Sequence, residues 1–466
     1  MRAWIVAAVG CLVVQAHAAG VSEATMKTVT QLRDQALKDE SAYSLIEGLT
    51  TEIGPRIAGG PNDERARTWL VERLQSLGFD KIYQEPVSFP VWERGQESCE
   101  VSSPFPAQIR CAALGGSMGT GARPLQAEII RFTDLKSLQD APEGTAKGKI
   151  VFVDYSMSRA RDGSGYGAAS LIRVTGASIA ASKGAAAFLL RSAGTDMSSR
   201  SPHTGVMRYA QMPTRIPAAA LGNVDADLLA SMLKRGAVRM KIQLGARTNK
   251  RQYLGANVIA EITGRERPEE IIVVGGHLDS WDLGTGALDD GAGIAITAAA
   301  AALIGKMPSA PRRTIRFIAW ANEEQGIYGG KAYAEARRID NTLARHTAAS
   351  ESDFGAGRVY KFDTRFNPES FALVDQIMQV LAPLGVARGN NEANGGPDVG
   401  PLRELGVPTF GLAQDGTHYF DYHHTENDTL DKIDPEALKQ NVAAWSVVTY
   451  LLAEYEGSVS QPATAK

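Results

Sequence analysis

The stretch Gly275-Gly276-His277-Leu278-Asp279-Ser280-Trp281 decides the fold. It follows Ile271-Ile272-Val273-Val274, a short continuous apolar run that is typical of a strand buried on both faces. An open α/β sheet binds its ligands beyond the carboxyl ends of its strands. His277 and Asp279, which leave this strand together, are therefore predicted to lie at a ligand site.

The loop that follows carries a further pair of acidic residues. Residues 284–288 are too rich in glycine for a helix, and Asp289 and Asp290 stand side by side before an alanine-rich helix. An imidazole together with hard carboxylates suits a divalent metal ion, with zinc as the first candidate. The alternative is a structural histidine next to aspartates that cap the helix, since aspartate is a common N-cap. The rest of the chain has to decide between these interpretations.

Length and composition indicate a soluble globular protein with more than one domain. The chain has 466 residues, which is too long for one ordinary domain. Charged residues make up 22% and hydrophobic residues 44% of it, as in average globular proteins. The formal net charge is −3 and no basic patch stands out, so neither a nucleic acid nor an acidic membrane surface is expected as a partner.

The first residues have the pattern of a secretory signal. Met1-Arg2 precedes an apolar run, and Ala16-His17-Ala18 has the Ala-x-Ala form of a cleavage site. We therefore predict a signal peptide over residues 1–18 and a protein exported to the periplasm or the extracellular space. The apolar run is too short for a permanent span, so no membrane anchor is expected.

Removal of that signal leaves two cysteines, Cys99 and Cys111. An even number of cysteines in an exported chain favours one disulfide, which here would close a short loop. Two unpaired thiols are the alternative interpretation.

Alternating strand and helix patterns predict the α/β class, with a mostly parallel mixed sheet flanked by helices. Residues 112–246 differ in sequence pattern from the residues on either side. They contain one histidine, His203, but no cluster of metal-ligand type. We interpret them as a smaller module inserted into a host domain made of residues 19–111 and 247–466. The host is predicted to end in a long amphipathic helix, Glu436 to Tyr455.

More acidic and histidine residues follow other predicted strands. Glu323 and Glu324 come directly after the apolar strand Thr314 to Trp320, Asp353 follows the next strand, and His424 precedes the last helix. Together with His277 and Asp289 they offer more ligand positions than the three that one catalytic zinc needs. Two ions that share a carboxylate would use such a set fully.

Two aspartates are predicted to orient the histidines. Asp279 is two residues from His277, and Asp428 is four residues from His424. A carboxylate that accepts a hydrogen bond from the second ring nitrogen is the usual support of a metal-bound histidine.

In these residues the chain resembles the co-catalytic di-zinc peptidases, the group that includes bacterial zinc aminopeptidases and glutamate carboxypeptidases. The resemblance rests on five motifs in the second half of the chain, in this order: His-x-Asp-Ser, Asp-Asp-Gly-Ala-Gly, Asn-Glu-Glu-x-Gly, Ser-Asp and His-Thr-x-x-Asp-Thr. Residues 148–154 and 216–234 likewise resemble a protease-associated domain. The resemblance implies two Zn²⁺ per chain, with Asp289 shared between them and the following ligands: His277, Asp289, Glu324, Asp353 and His424.

The resemblance also implies roles and an activity. Glu323 is expected to be the general base, Asp279 to orient His277, and the bond between Asp289 and Asp290 to be cis. His424 rather than His423 is expected as the ligand, because it directly precedes the threonine of its motif. The expected substrate is a dipeptide or short peptide with a free N-terminus, cleaved at its first bond by a hydroxide between the ions.

Three points stay open. The region 394–401 departs from the Ser-Asp-His form of simpler aminopeptidases, so the resemblance implies no substrate contacts for it. A homodimer is implied by the resemblance alone. A single-zinc transferase of the glutaminyl cyclase type and a non-catalytic, receptor-like binding protein are the alternative functions.

Overall fold

The computed structural model describes residues 20–211 and 214–460. The predicted signal peptide, residues 1–18, lies outside these described residues. Within them the strands form two eight-stranded sheets, each accompanied by helices. This confirms the predicted α/β class with a large mixed sheet flanked by helices.

The α-helices of the described residues are α1 (Glu23–Ala36), α2 (Ser41–Gly48), α3 (Asp63–Leu77), α4 (Leu135–Asp140), α5 (Tyr166–Ser182), α6 (Asn223–Leu233), α7 (Ala292–Gly305), α8 (Tyr328–Ile339), α9 (Phe371–Leu381), α10 (Gly400–Glu404), α11 (Tyr419–Tyr422) and α12 (Pro435–Glu454). The strands are β1 (Lys81–Glu93), β2 (Glu97–Ser103), β3 (Ala107–Ile109), β4 (Cys111–Ala113), β5 (Leu125–Phe132), β6 (Ile150–Val153), β7 (Ala187–Arg191), β8 (Ala218–Leu221), β9 (Arg239–Leu244), β10 (Arg247–Ile262), β11 (Arg267–His277), β12 (Arg313–Trp320), β13 (His346–Glu351), β14 (Val359–Arg365), β15 (Ala387–Arg388) and β16 (Thr409–Gln414).

The first sheet has the strand order β1-β10-β12-β11-β13-β16-β14-β15. Its centre is parallel, because β11 pairs in parallel with both β12 and β13, and β13 pairs in parallel with β16. Strands β10 and β14 run antiparallel to their central neighbours, so the sheet is mixed. The parallel centre brings the carboxyl ends of four strands to one edge.

Helices cover both faces of this sheet. Helix α7 is rich in alanine and buried throughout its length apart from its last residue, which lets α12 and α2 pack closely against it. Residues Ala287–Gly305 are long and apolar enough to cross a membrane by length and composition alone, and the apolar window within them is fully buried inside the fold. The amphipathic character predicted for the last helix is wrong. From Ala437 onward α12 is buried on nearly every side, because α1, α7 and α9 enclose it.

The second sheet has the order β3-β2-β9-β5-β6-β7-β8-β4 and is built between Glu97 and Leu244. It begins earlier than the predicted insert, since strands β2 to β4 precede or overlap residue 112. Cys99 in β2 and Cys111 in β4 form a disulfide, which confirms the favoured pairing of the two cysteines. The division of the chain into a host and an inserted protease-associated domain stays a prediction.

Candidate metal centre

Three neighbouring strands end at the same edge of the first sheet. Strand β11 ends at His277, which is opposite Trp320, the last residue of β12. Glu323 and Glu324 come three and four residues after Trp320 and therefore start close to His277 in space. Strand β13 lies on the other side of β11 and ends at Glu351, two residues before Asp353. The parallel pairing thus explains why ligands that are far apart in sequence meet here.

The five predicted metal ligands form one connected cluster. Asp353 Oδ1 lies 3.6 Å from His277 Nε2, which lies 3.1 Å from Asp289 Oδ1. The other carboxylate oxygen of Asp289, Oδ2, lies 3.2 Å from His424 Nε2. His424 Nε2 is in turn 3.0 Å from Glu324 Oε2. Asp289 stands in the middle, with one oxygen toward each histidine.

The cluster has the chemistry of a metal site. Ligand atoms of His277, Asp289 and Glu324 all lie within 4.8 Å of one another. Asp289 Oδ2 and Glu324 Oε1 are buried and have no hydrogen-bond partner among the described residues. A buried carboxylate oxygen without a donor is costly unless a cation is bound to it. Imidazole nitrogens with carboxylate oxygens are the donor set of catalytic zinc, so these residues fit zinc.

Burial and neighbouring carboxylates oppose each other in their effect on the pKa of His277 but act together on the pKa of Glu323. Burial lowers the pKa of His277, but Asp289 and Asp353 outweigh this effect and raise that pKa well above its ordinary value. Burial raises the pKa of Glu323 well above its ordinary range, and the nearby Asp353 and Glu324 raise it further. A carboxyl group with a raised pKa holds a proton more readily, as a general base must after it has taken one.

The orientation of His277 differs from the prediction. Its Nδ1 lies 2.9 Å from the main-chain carbonyl of Asp279, whereas the carboxylate of Asp279 is 3.7 Å away. That carboxylate instead accepts the main-chain N–H groups of Glu323, at 3.0 Å, and Glu324, at 3.4 Å. Asp279 therefore holds two site segments together, because it lies between the end of β11 and the turn after β12.

The predicted support of His424 by Asp428 is wrong. Asp428 accepts the main-chain N–H of Leu288 at 2.7 Å and that of Asp289 at 3.1 Å. Its carboxylate is thus occupied by the turn that presents Asp289. The Nδ1 atom of His424 lies 3.3 Å from the main-chain carbonyl of Thr204 instead.

Arg56, in the loop before α3, also shapes this turn. It is almost completely buried, and its guanidinium donates to the carbonyls of Leu278 at 2.5 Å, Thr285 at 2.6 Å and Gly286 at 2.8 Å. The whole loop between His277 and Asp289 is therefore tied to one side chain. Sequence reasoning missed this role, because a turn-rich loop has no periodicity that would place Arg56.

Three more residues at the site are not among the five predicted ligands. Asp290 accepts the main-chain N–H of His277 and that of Gly293, each at 3.0 Å, and its peptide bond with Asp289 is cis, as the resemblance implies. His423 and His203 lie beside His424, with ligand atoms of all three within 4.8 Å of one another. His203, which is the one histidine of residues 112–246, therefore has two histidine neighbours from the end of the chain. The local concentration of histidines around His424 was the only signal in the sequence.

A cavity of about 540 Å³ has walls that include sequence neighbours of two predicted ligands, although none of the five clustered residues lines it. Its walls include Leu288, Phe354 and Tyr419, and two of these directly adjoin the predicted ligands Asp289 and Asp353 in sequence. Its size lies within the range of about 300–1,000 Å³ that small-molecule sites occupy.

Comparison with known proteins identifies the family. The model of Peptidase family M28 matches residues 257–449, the part of the chain that carries all five clustered side chains. Carboxypeptidase Q of Xenopus laevis is 33% identical over 431 residues, which cover 92% of this chain and 89% of that protein. This chain belongs to peptidase family M28. The predicted class of enzyme, a metallopeptidase, is confirmed by this membership, as is the resemblance of its motifs to carboxypeptidase Q, the plasma glutamate carboxypeptidase.

Solved structures agree with this assignment. The crystal structure of a Peptidase M28 precursor from Shewanella amazonensis is 48% identical, with a TM-score of 0.92 over 95% of this chain and 100% of that chain. A zinc aminopeptidase from Bacillus subtilis is 20% identical, with a TM-score of 0.64 over 90% of this chain and 97% of that chain. At that level of identity the second comparison shows a shared fold alone.

Proposed function

We propose that this member of peptidase family M28 is an exported exopeptidase that holds two zinc ions and removes the N-terminal residue from dipeptides or short peptides. The position of Asp289 supports this most directly, since its two oxygens face two different histidines. The names of its relatives support the reaction: one is a carboxypeptidase, and a protein of the same fold is a zinc aminopeptidase.

The proposed ligands divide into two groups that share Asp289. His277 and Asp353 lie on the side of Oδ1, and His424 and Glu324 lie on the side of Oδ2. When bound, zinc lowers the pKa of its water from ~15.7 to about 7 and polarises the scissile carbonyl.

Glu323 is the proposed general base. Its main chain is anchored to the carboxylate of Asp279, and its raised pKa favours retention of a proton taken from the attacking water. The same carboxyl group then delivers the proton to the leaving amine. Asp279 is thus proposed to act on the reaction by positioning the turn that carries Glu323.

The Glu323→Gln substitution tests this role. The amide has nearly the same size but cannot take a proton, so we expect kcat to fall by about 10²–10⁴ while two zinc ions per chain remain bound. Glu269→Gln is the matched control, because Glu269 is exposed and lies near the start of β11, at the opposite end from His277. Near-wild-type turnover of a zinc-loaded Glu323→Gln enzyme would contradict the proposed base.

The names of the relatives refer to opposite ends of a peptide, and a blocked-substrate panel decides the polarity. We expect hydrolysis of a free dipeptide and of a dipeptide amide, but not of an N-acetyl dipeptide. Loss of activity on the amide with retention on the acetylated peptide would show that the free carboxylate is recognised instead. Metal analysis of the same samples tests the ion count: one zinc per chain favours a glutaminyl cyclase-like transferase, and none favours a receptor-like binding protein.

A further inference from the structure

A buried segment between strands β7 and β8 of the second sheet reaches the cluster of the first sheet. His203 and Thr204 in this segment are 1% and 0% exposed. The main-chain N–H of His203 donates to Ser192 Oγ at 2.8 Å, and Ser192 Oγ donates to the carbonyl of Leu221 at 2.7 Å. The segment is therefore fixed to the end of β8 and is not a loose loop.

Thr204 holds the backbone of a proposed zinc ligand. Its main-chain N–H donates to the carbonyl of His424 at 3.0 Å, and its own carbonyl lies 3.3 Å from His424 Nδ1. His424 has a φ of 59°, a left-handed conformation that residues other than glycine seldom adopt. Both contacts with Thr204 are made by His424, one through its main-chain carbonyl and one through its ring, so together they stabilise this conformation.

His203 contacts the neighbouring histidine. His203 Nε2 lies 2.8 Å from His423 Nδ1, and the ring of His423 stacks on that of His424 with centroids 3.6 Å apart. His423 Nε2 in turn lies 3.3 Å from Asp289 Oδ2. These contacts form a chain of side chains from the second sheet to the shared carboxylate.

The position of the hydrogen on His423 follows from its contact with Asp289. His423 Nε2 lies 3.3 Å from Asp289 Oδ2, and a lone pair on that nitrogen would be repelled by the carboxylate oxygen, so the hydrogen of a neutral His423 belongs on Nε2. His423 Nδ1 must then accept, and His203 Nε2 must donate to it. In a neutral His203, Nδ1 is consequently left without hydrogen.

We propose that His203 is a positioning residue of the peptidase site, which acts by fixing the ring and tautomer of His423 so that the Nε2–H group of His423 faces Asp289. The proposal rests on the proposed function, since it gives Asp289 the role of the shared zinc ligand. Partners of metal ligands set the orientation and basicity of those ligands. The second sheet thus builds part of the site itself.

Two variants separate positioning from packing. In His203→Gln the side-chain amide can still donate to His423 Nδ1, whereas His203→Leu fills similar space without a donor. We expect the Leu variant to lose about 10–100-fold in kcat, with KM within about twofold and two zinc ions retained, and the Gln variant to recover most of the loss. His346→Leu is the control. His346 is also buried, but it lies at the start of β13, away from the cluster, and its ring forms a hydrogen bond with the hydroxyl group of Tyr333.

Three results would overturn the proposal. The first is a His203→Leu enzyme with wild-type kcat, whatever its melting temperature; the second is a Gln variant as impaired as the Leu variant. The third comes from ¹⁵N–¹H NMR of histidine-labelled wild-type protein, which reports the tautomer without any turnover: hydrogen on His423 Nδ1 contradicts the mechanism. If the Glu323→Gln enzyme keeps near-wild-type turnover while the His203 variants behave as expected, the proposed general base is wrong and the role of His203 is unaffected.

Discussion

Arg56→Met is the most direct test of how the fold holds its metal-binding loop. The wild-type guanidinium donates to three main-chain carbonyls, those of Leu278, Thr285 and Gly286. Methionine has a similar length and no donor, so the substitution leaves the three carbonyls without these bonds. The loop they belong to carries Asp279 and leads to Asp289.

The size of the effect follows from these three bonds. A hydrogen bond to a charged group contributes about 1.5–3 kcal/mol. Burial lowers the pKa of Arg56, which means that the charged guanidinium is held at a desolvation cost. We therefore use the lower end of the energy range, about 1.5 kcal/mol for each hydrogen bond. Three bonds at about 1.5 kcal/mol each give a loss of about 4–5 kcal/mol in the free energy of unfolding, a large part of the 5–15 kcal/mol that typically stabilises a domain.

Urea unfolding measured with metal analysis provides the assay. We expect a lower midpoint and substoichiometric zinc in Arg56→Met, because the loop no longer holds Asp289 in place. Arg56→Lys is the matched control: it keeps the charge but not the planar fork, and we expect an intermediate loss. An Arg56→Met protein that unfolds within about 1 kcal/mol of wild type and carries its full zinc would refute the reasoning, since experimental errors of this size are common in such extrapolations.

Two further predictions concern zinc content and pH. Asp353→Ala removes a proposed ligand from one side only and should leave about one zinc per chain, whereas Asp289→Ala removes the shared ligand and should leave less; equal zinc contents in the two variants would contradict the shared role of Asp289. Burial lowers the pKa of His346 to about 4 from 6.5, so the unfolded chain binds more protons between these values and stability should rise with pH there, by about 3 kcal/mol. Urea unfolding at pH 4.5 and pH 7 should show a smaller rise in His346→Gln, and an unchanged rise would exclude His346 as its source.

The sequence located the site because the site lies at the ends of strands. The apolar runs before His277 and Glu323 identify β11 and β12, and the carboxyl ends of parallel strands share an edge, so the sequence alone groups the proposed ligands. Strand β2 lies within the residues predicted for the host, yet it joins the second sheet, because sheet membership depends on pairing with β9, more than 130 residues away.

The supporting residues could not be found in this way. Arg56 acts on carbonyls about 220–230 residues later in the chain, and main-chain acceptors leave no mark in a sequence. His203 is a single histidine in a segment with no other metal-ligand type, and only the approach of the second sheet to His423 gives it a role. The amphipathic character expected of α12 failed for a similar reason, since the number of elements that enclose a helix is a property of the whole fold.

The balance of charge explains why these supporting contacts and the proposed zinc belong together. Arg56 is a buried cation that faces four carboxylates, those of Asp428, Asp279, Asp290 and Asp289. Four carboxylates outnumber one guanidinium, and burial raises the pKa of Asp279 and that of Asp428 to about 7. Buried charge of one sign is costly unless it is paired. Two divalent cations at Asp289 would supply the missing positive charge at the point where the carboxylates are most crowded, which is why we expect metal binding and the stability of this edge of the sheet to be coupled.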